Sequence, residues 1–233
     1  MKNQYFGDKN DFYKYDLALN MTEACGLRTF TFLVMLTPDD GRGDGSLTSY
    51  DCGARSAKLH QFLQDCVQNG RRRVEELTGF LDLQQISHTT FLGDVSAAVR
   101  PEYFASIGCD KLQSALVFLD PDNGLEVKST RRGNLHKFVR YDEVRSLYER
   151  MGDDSLLMVY QHIPRIERIR FFSLIAQRLH ERVDPLGCAC YSPDNQVAFF
   201  FITKDQGQKK CVREVLPAYA ARVGAAHCVV DLL

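Results

Sequence analysis

Apolar residues along the chain alternate between two periods, and this spacing carries most of the structural information. Residues 11–25, DFYKYDLALNMTEAC, place Phe12, Tyr15 and Leu19 at helical spacing, with Asp11 as a candidate cap and Gly26 as a stop. RTFTFLVML (28–36) is a continuous apolar run and predicts a buried strand. Two amphipathic helices are predicted over 54–68 and 72–82, then a short strand over 86–92 and a helix over 96–107. SALVFL (114–119) and SLLMVYQ (155–161) predict two further strands, separated by a helix over 141–151. The strongest helical pattern is 165–182. Residues 187–192 and 196–203 predict two paired strands around a Ser-Pro-Asp-Asn turn, followed by a helix over 209–223 and a last strand over 227–232. Strands alternating with helices predict an α/β domain over residues 1–233, with a mostly parallel, doubly wound, Rossmann-like sheet. The C-terminal hairpin adds an antiparallel strand, and the N-terminal segment 1–26 is expected to pack over the site.

In such sheets ligands bind beyond the carboxyl ends of the strands, where the strand order reverses. That directs attention to the loops after Leu36, Leu119 and Tyr160. The first, TPDDGRGDGS, spaces glycines after a strand, which lets backbone approach a ligand without Cβ clashes. Asp39, Gly41 and Gly43 are its candidate binding residues, and the bland alternative is a polar surface loop. The second, VFLDPDNGLE (117–126), runs from a buried strand into Asp120, Pro121, Asp122, Asn123, Gly124 and Glu126. Three carboxylates within seven residues repel one another unless something positive sits among them. A type I turn would need only one of them. The third, Tyr160-Gln161-His162-Ile163-Pro164-Arg165, offers His162 as a proton carrier or ligand, although a single histidine is more often structural.

Composition narrows the class. Hydrophobic residues form 45% and charged residues 25% of the 233, the balance of a soluble globular protein. The net charge is −1, so any nucleic-acid contact must use a local patch. Lys128, Arg131, Arg132, Arg165 and Arg168 cluster near the second and third loops and could form one. The eight cysteines contain no CxxC pair, and free thiols in a reducing cytoplasm are expected. The N-terminal MKNQYFGDKND has no apolar core of a signal peptide, and no apolar run is long enough for a membrane span.

Two resemblances follow from these motifs. NQYFGDKNDFYKYDL, MLTPDDGRGDG, FLDPDNG and YQHIPR together resemble a family of uncharacterised bacterial and phage proteins, which implies no particular activity. The layout is also similar to the S-adenosylmethionine-dependent methyltransferases, in particular the ribosomal RNA adenine-N6 type. That resemblance implies that Lys14, within Asp11-Phe12-Tyr13-Lys14, contacts the cofactor, together with Asp39, Gly41 and Gly43 in the glycine loop. It implies that Asp94, after Gly93, lies near the cofactor's adenine, and that Asp120-Pro121-Asp122-Asn123 positions the target amine. The chain departs from the family in having Asp122 for a second proline, Asn123 for a stacking aromatic, Pro38 before the loop, and no acidic residue at the end of the strand over 86–92.

Three functions compete. In a methyltransferase, Asp120 would accept a hydrogen bond from the exocyclic amine of a nucleic-acid base, with Asp122, Asn123 and His162 beside it. In a Mg²⁺-dependent nuclease or phosphoesterase, Asp39, Asp120, Asp122 and Glu126 would hold the metal. In a binding protein on a methyltransferase-like scaffold, the same cleft would carry no chemistry.

Overall fold

The computed structural model describes residues 1–38, 45–96, 98–127, 130–164, 167–191, 196–224 and 228–231, and of Asp94, Arg132, Cys228 and Val230 the backbone only. In chain order the elements are α1 (Lys9–Ala24), β1 (Thr29–Leu36), α2 (Ala57–Gln68), α3 (Glu76–Leu83), β2 (His88–Asp94), α4 (Arg100–Ala105), β3 (Ala115–Asp120), β4 (Gly124–Leu125), β5 (Phe138–Val139), α5 (Tyr141–Arg150), β6 (Leu156–His162), α6 (Arg168–Arg182), β7 (Leu186–Tyr191), β8 (Val197–Thr203), α7 (Gln206–Val223) and β9 (Cys228–Asp231).

Seven strands form one sheet in the order β2-β1-β3-β6-β8-β7-β9. The first four are parallel, with Val34 of β1 beside Asp120 of β3 and Leu36 beside Asp94 of β2. Strand β8 inserts antiparallel between β6 and β7, and β9 adds an antiparallel edge. The fold is therefore the expected doubly wound α/β sheet with antiparallel strands towards its C-terminal side.

The apolar runs explain why both sheet faces are covered. Successive side chains of a strand point to opposite faces. Phe30, Phe32 and Val34 of β1, with Leu116 and Phe118 of β3, pack into one cluster together with residues of α1, α2, α3 and α7. Leu33 and Met35, with Val117 and Leu119, pack into the other, with residues of α4, α5 and α6. A run apolar at every position is what a strand buried on both faces requires.

Several boundaries differ from expectation. Helix α1 starts at Lys9, because the Asp8 side chain rather than that of Asp11 caps it, accepting from the Asp11 N–H at 2.8 Å. Its predicted single apolar face is also too narrow: Phe12, Tyr13, Tyr15, Leu17, Ala18 and Met21 are all buried, since the sheet, α2 and α7 enclose the helix. Strand β2 runs on to Asp94, past the expected end at residue 92. The chain after β3 forms a small parallel pair, β4 with β5, that was expected as loop. The Ser-Pro-Asp-Asn turn lies outside the described residues. The cysteine expectation fails for one pair: Cys25 at the end of α1 and Cys211 in α7 form a disulfide, with Cα atoms 5.9 Å apart. Packing of α1 against α7 brings together two residues 186 apart in sequence, which spacing alone could not indicate. Cys52, Cys66, Cys109, Cys188 and Cys190 are free. Among the described residues, no helix is long and apolar enough to cross a membrane.

Gly93 shows how tightly the end of β2 is held. A Cβ there would lie 2.1 Å from Cδ2 of Tyr103, whose hydroxyl donates to the carbonyls of Val34 and Phe91 at 3.1 and 3.3 Å. The ring is buried and tethered, so it cannot step aside cheaply. Gly93→Ala is expected to cost about 1–3 kcal/mol of stability by overpacking. Urea unfolding checks this, and a change below about 0.5 kcal/mol would mean that the ring moves freely.

Candidate functional site

The carboxyl ends of β1, β3 and β6 border a cleft of about 500 Å³. Its walls come from the N-terminal segment and α1 (Lys2, Asp8, Asp11, Lys14), residues 45–47, the turn after β3 (Asp122, Asn123), and the tip of β6 (Tyr160, His162). Lys137 closes one side. This is the region to which strand order pointed. The N-terminus is anchored over it: the Met1 amino group donates to the Met35 carbonyl at 2.9 Å, and Thr37 N–H donates to the Met1 carbonyl at 2.8 Å.

At the floor stands a buried charge cluster. Asp120, at the tip of β3, is fully buried. Lys14 crosses from α1 and places Nζ 3.2 and 3.3 Å from the two Asp120 carboxylate oxygens. The same ammonium lies 3.0 Å from Oδ1 of Asp11 and 4.3 Å from the centre of the Tyr160 ring. Tyr15 donates to the other Asp11 oxygen at 3.2 Å. Burial alone would lower the Lys14 pKa, but Asp11 and Asp120 outweigh it and hold the lysine charged, well above its ordinary 10.5. Asp11 is pushed up to about 7, chiefly by burial, with Lys14 opposing and Asp8 and Asp120 adding like charge. The repulsion among acidic residues noted in the sequence is thus relieved by a cation 106 residues away from Asp120.

The turn after β3 is fixed by a residue that sequence reasoning passed over. Gln161 of β6 accepts from the Leu125 N–H at 2.9 Å and donates to the Asn123 carbonyl at 3.0 Å. The His162 N–H donates to the same carbonyl at 3.0 Å. Gly124 adopts φ +109°, and a Cβ there would lie 2.5 Å from the Gln161 amide carbon. Glycine is needed on both counts. A polar residue ending the apolar run LLMVYQ was the available signal, because a buried amide must find partners. The clamp presents Asp122 and Asn123 to the cleft. The Asp122 side chain, only 6% exposed, lies 3.7 Å from the Met1 amine and 3.9 Å from Lys137 Nζ.

His162 stands at the rim. Partial burial lowers its pKa below the ordinary 6.5, with Asp122 opposing, so the ring is neutral near pH 7. A histidine whose folded-state pKa is depressed contributes stability above the unfolded-state value, and that stability is lost as pH falls below 6.5. Asp11, raised to about 7, has the opposite slope, so the comparison must be with a variant. His162→Gln is expected to lose less stability than the parent between about pH 7 and about pH 5. Unfolding midpoints at the two pH values measure this, and equal losses would remove the effect.

The remaining candidates are distributed as follows. Lys14, Asp122, Asn123 and His162 share the cleft, whereas Asp120 lies behind Lys14 and does not line it. Asp39, Gly41 and Gly43 lie outside the described residues, as do Lys128 and Arg165. Asp94 ends β2 next to Leu36. Glu126 turns away, accepting from the Tyr141 N–H at the start of α5 at 3.1 Å. Glu126 is engaged there and Asp120 is held by Lys14; Asp39, the fourth member of the proposed metal set, lies outside the described residues, among which no group of three potential metal ligands occurs. Arg131 is exposed, and Arg168 lies over the Tyr191 ring at 5.6 Å. Asp8, Asp11 and Tyr160 were not foreseen as part of the site. The chain matches no protein-family model and no curated protein.

Proposed function

We propose that this protein is an S-adenosylmethionine-dependent methyltransferase that acts on an amino group of a nucleic-acid base. The observation that carries the reading is a cleft of mixed charge beyond the carboxyl ends of β3 and β6, beside the point between β1 and β3 where strand order reverses. The residues present suit the cofactor. Asp8, Asp11 and Asp122 match a sulfonium and an α-ammonium, and Lys2, Lys14 and Lys137 match an α-carboxylate. Asp94, an acidic residue at the tip of the strand beside β1, has the place of a ribose-binding carboxylate. The cofactor, when bound, supplies an electrophilic methyl group.

The chain's own residues then have defined tasks. Asp122 accepts a hydrogen bond from the target amine and aims its lone pair, a task that falls to it because Asp120 is sealed behind Lys14. Asn123 contacts the edge of the base, held in place through the Gln161 clamp. Neutral His162 accepts the proton that the amine releases. Asp120 is a positioning residue that keeps Lys14 extended into the cleft. Rate enhancement comes mainly from proximity and orientation. Lys128, Arg131, Arg132, Arg165 and Arg168, with Lys137, contact backbone phosphates. Transfer of labelled methyl groups to RNA and DNA tests the reading, and label in adenine N6 or another exocyclic amine is expected. Asn123 in place of a stacking aromatic favours one second reading, a binding protein without transfer, for which cofactor binding without labelled product would speak.

A further inference from the structure

A second, larger cleft of about 710 Å³ lies at the opposite end of the sheet. Its walls include Leu27 and Arg28, which lead into β1, and Ser87, which leads into β2, so it sits at the amino ends of the strands. Four cations line it: Arg28, Arg55, Lys58 and Arg222. Two carboxylates face them. Asp16 is buried and already committed, accepting from the Ser56 N–H at 2.9 Å and from the Tyr219 hydroxyl at 2.7 Å. Glu23 is exposed at the edge. None of the four cations forms an ion pair among the described residues. The N-terminus of α2, capped by Ser56, opens on the same wall and adds its dipole. Nε of Arg55, on the same wall, is buried without a hydrogen-bond partner.

The rest of the lining mixes apolar Leu19, Leu27, Phe80 and Ile86 with polar Asn20, Thr22, Gln84, Gln85 and Ser87. An excess of positive charge beside apolar side chains and side-chain amides, in a volume within the range of small-molecule sites, fits a ligand that is anionic at one end and carries a flat group with hydrogen-bonding edges at the other. We infer that this cleft binds a nucleoside phosphate, with the phosphate between Arg28, Arg55, Arg222 and the start of α2 and the base beside Leu27 and Phe80, within reach of the Gln84 and Gln85 amides. The site stands apart from the methyl-transfer reading. It shares only α1 with the first cleft, through Asp16, Asn20 and Glu23 on one side and Asp11 and Lys14 on the other.

Isothermal titration with adenosine and cytidine monophosphates, a 5′-phosphorylated oligonucleotide, the unphosphorylated nucleosides and inorganic phosphate tests it. Monophosphates are expected to bind, and Arg28→Ala with Arg222→Ala to weaken them about tenfold or more. Both arginines are exposed, so the double variant should fold, and Lys58→Ala gives an independent check. Asp122→Asn should leave this affinity unchanged. Binding of the oligonucleotide but not of free monophosphates would identify the end of a strand as the source and uphold the site. Nucleosides or inorganic phosphate binding as tightly as monophosphates, affinity indifferent to the arginine substitutions, or no binding at millimolar concentration would each overturn it. Because cofactor binding and methyl transfer are measured separately, failure here leaves the proposed activity untouched.

Discussion

Replacing Lys14 with methionine is expected to lower the free energy of unfolding by about 3–5 kcal/mol, the cost of stranding a buried charge. The lysine is 4% exposed and its partner Asp120 is fully buried, so water cannot replace the lost ammonium. Asp120 has no other ion-pair partner among the described residues, and Asp11 would lose its cation as well. Methionine keeps the length of the side chain, so packing changes little and the loss reports mainly on charge. Adding Asp120→Asn should recover about 1–2 kcal/mol, because the double variant no longer buries an unpaired carboxylate there. Denaturant titrations of the four proteins in this cycle measure the coupling. Additive effects of the two substitutions would mean that the pair is not the electrostatic anchor of the cleft. Because Lys14 also lines the cleft, the single variant is further expected to lose cofactor affinity.

Asp122→Asn is the second substitution with a large expected effect, on chemistry rather than stability. Asparagine matches aspartate in shape and keeps one acceptor oxygen, but it loses the charge that orients the target amine. Methyl transfer is expected to fall at least about 100-fold, as misplacement of a reacting group does. Cofactor affinity should change far less, since Asp8 and Asp11 remain for its cationic groups and Lys2, Lys14 and Lys137 for its carboxylate. The contrast with Asp120→Asn is informative. That change acts through Lys14 and should disturb stability and cofactor binding together. If Asp120→Asn abolished transfer while binding and folding stayed intact, Asp120 rather than Asp122 would be the group facing the amine.

The strands were the legible part of the fold. TFTFLVML, ALVFLD and LLMVYQ are apolar runs with one dominant interpretation, and the loops at their ends do meet at one cleft. Short-range chemistry was less decisive. Asp8 and Asp11 are both plausible caps for α1, and only the geometry shows that the Asp8 oxygen reaches the Asp11 N–H while Asp11 pairs with Lys14. The apolar run ISHTTFL stops at residue 92, yet pairing with Met35 and Leu36 carries β2 through Gly93 and Asp94. Asp94, expected near the cofactor's adenine, therefore ends the strand whose apolar run shows no acidic residue at its tip. Long-range pairings left no local trace: Lys14 with Asp120, Gln161 with the turn after β3, and Cys25 with Cys211. Glu126 misled for a related reason. Its spacing from Asp120 and Asp122 suggested a shared site, but the backbone turns at Gly124 and delivers the carboxylate to the start of α5.

The central claim is that the cleft beyond β1, β3 and β6 holds S-adenosylmethionine. Isothermal titration of the purified protein with that cofactor, in the presence of a chelator, tests it most directly. Binding at a single site with micromolar affinity, lost in Lys14→Met under conditions where the variant remains folded, is the expected result. No heat of binding, or binding of Mg²⁺ alone in a parallel titration without chelator, would contradict the claim and return the carboxylates around Asp122 to a hydrolytic reading.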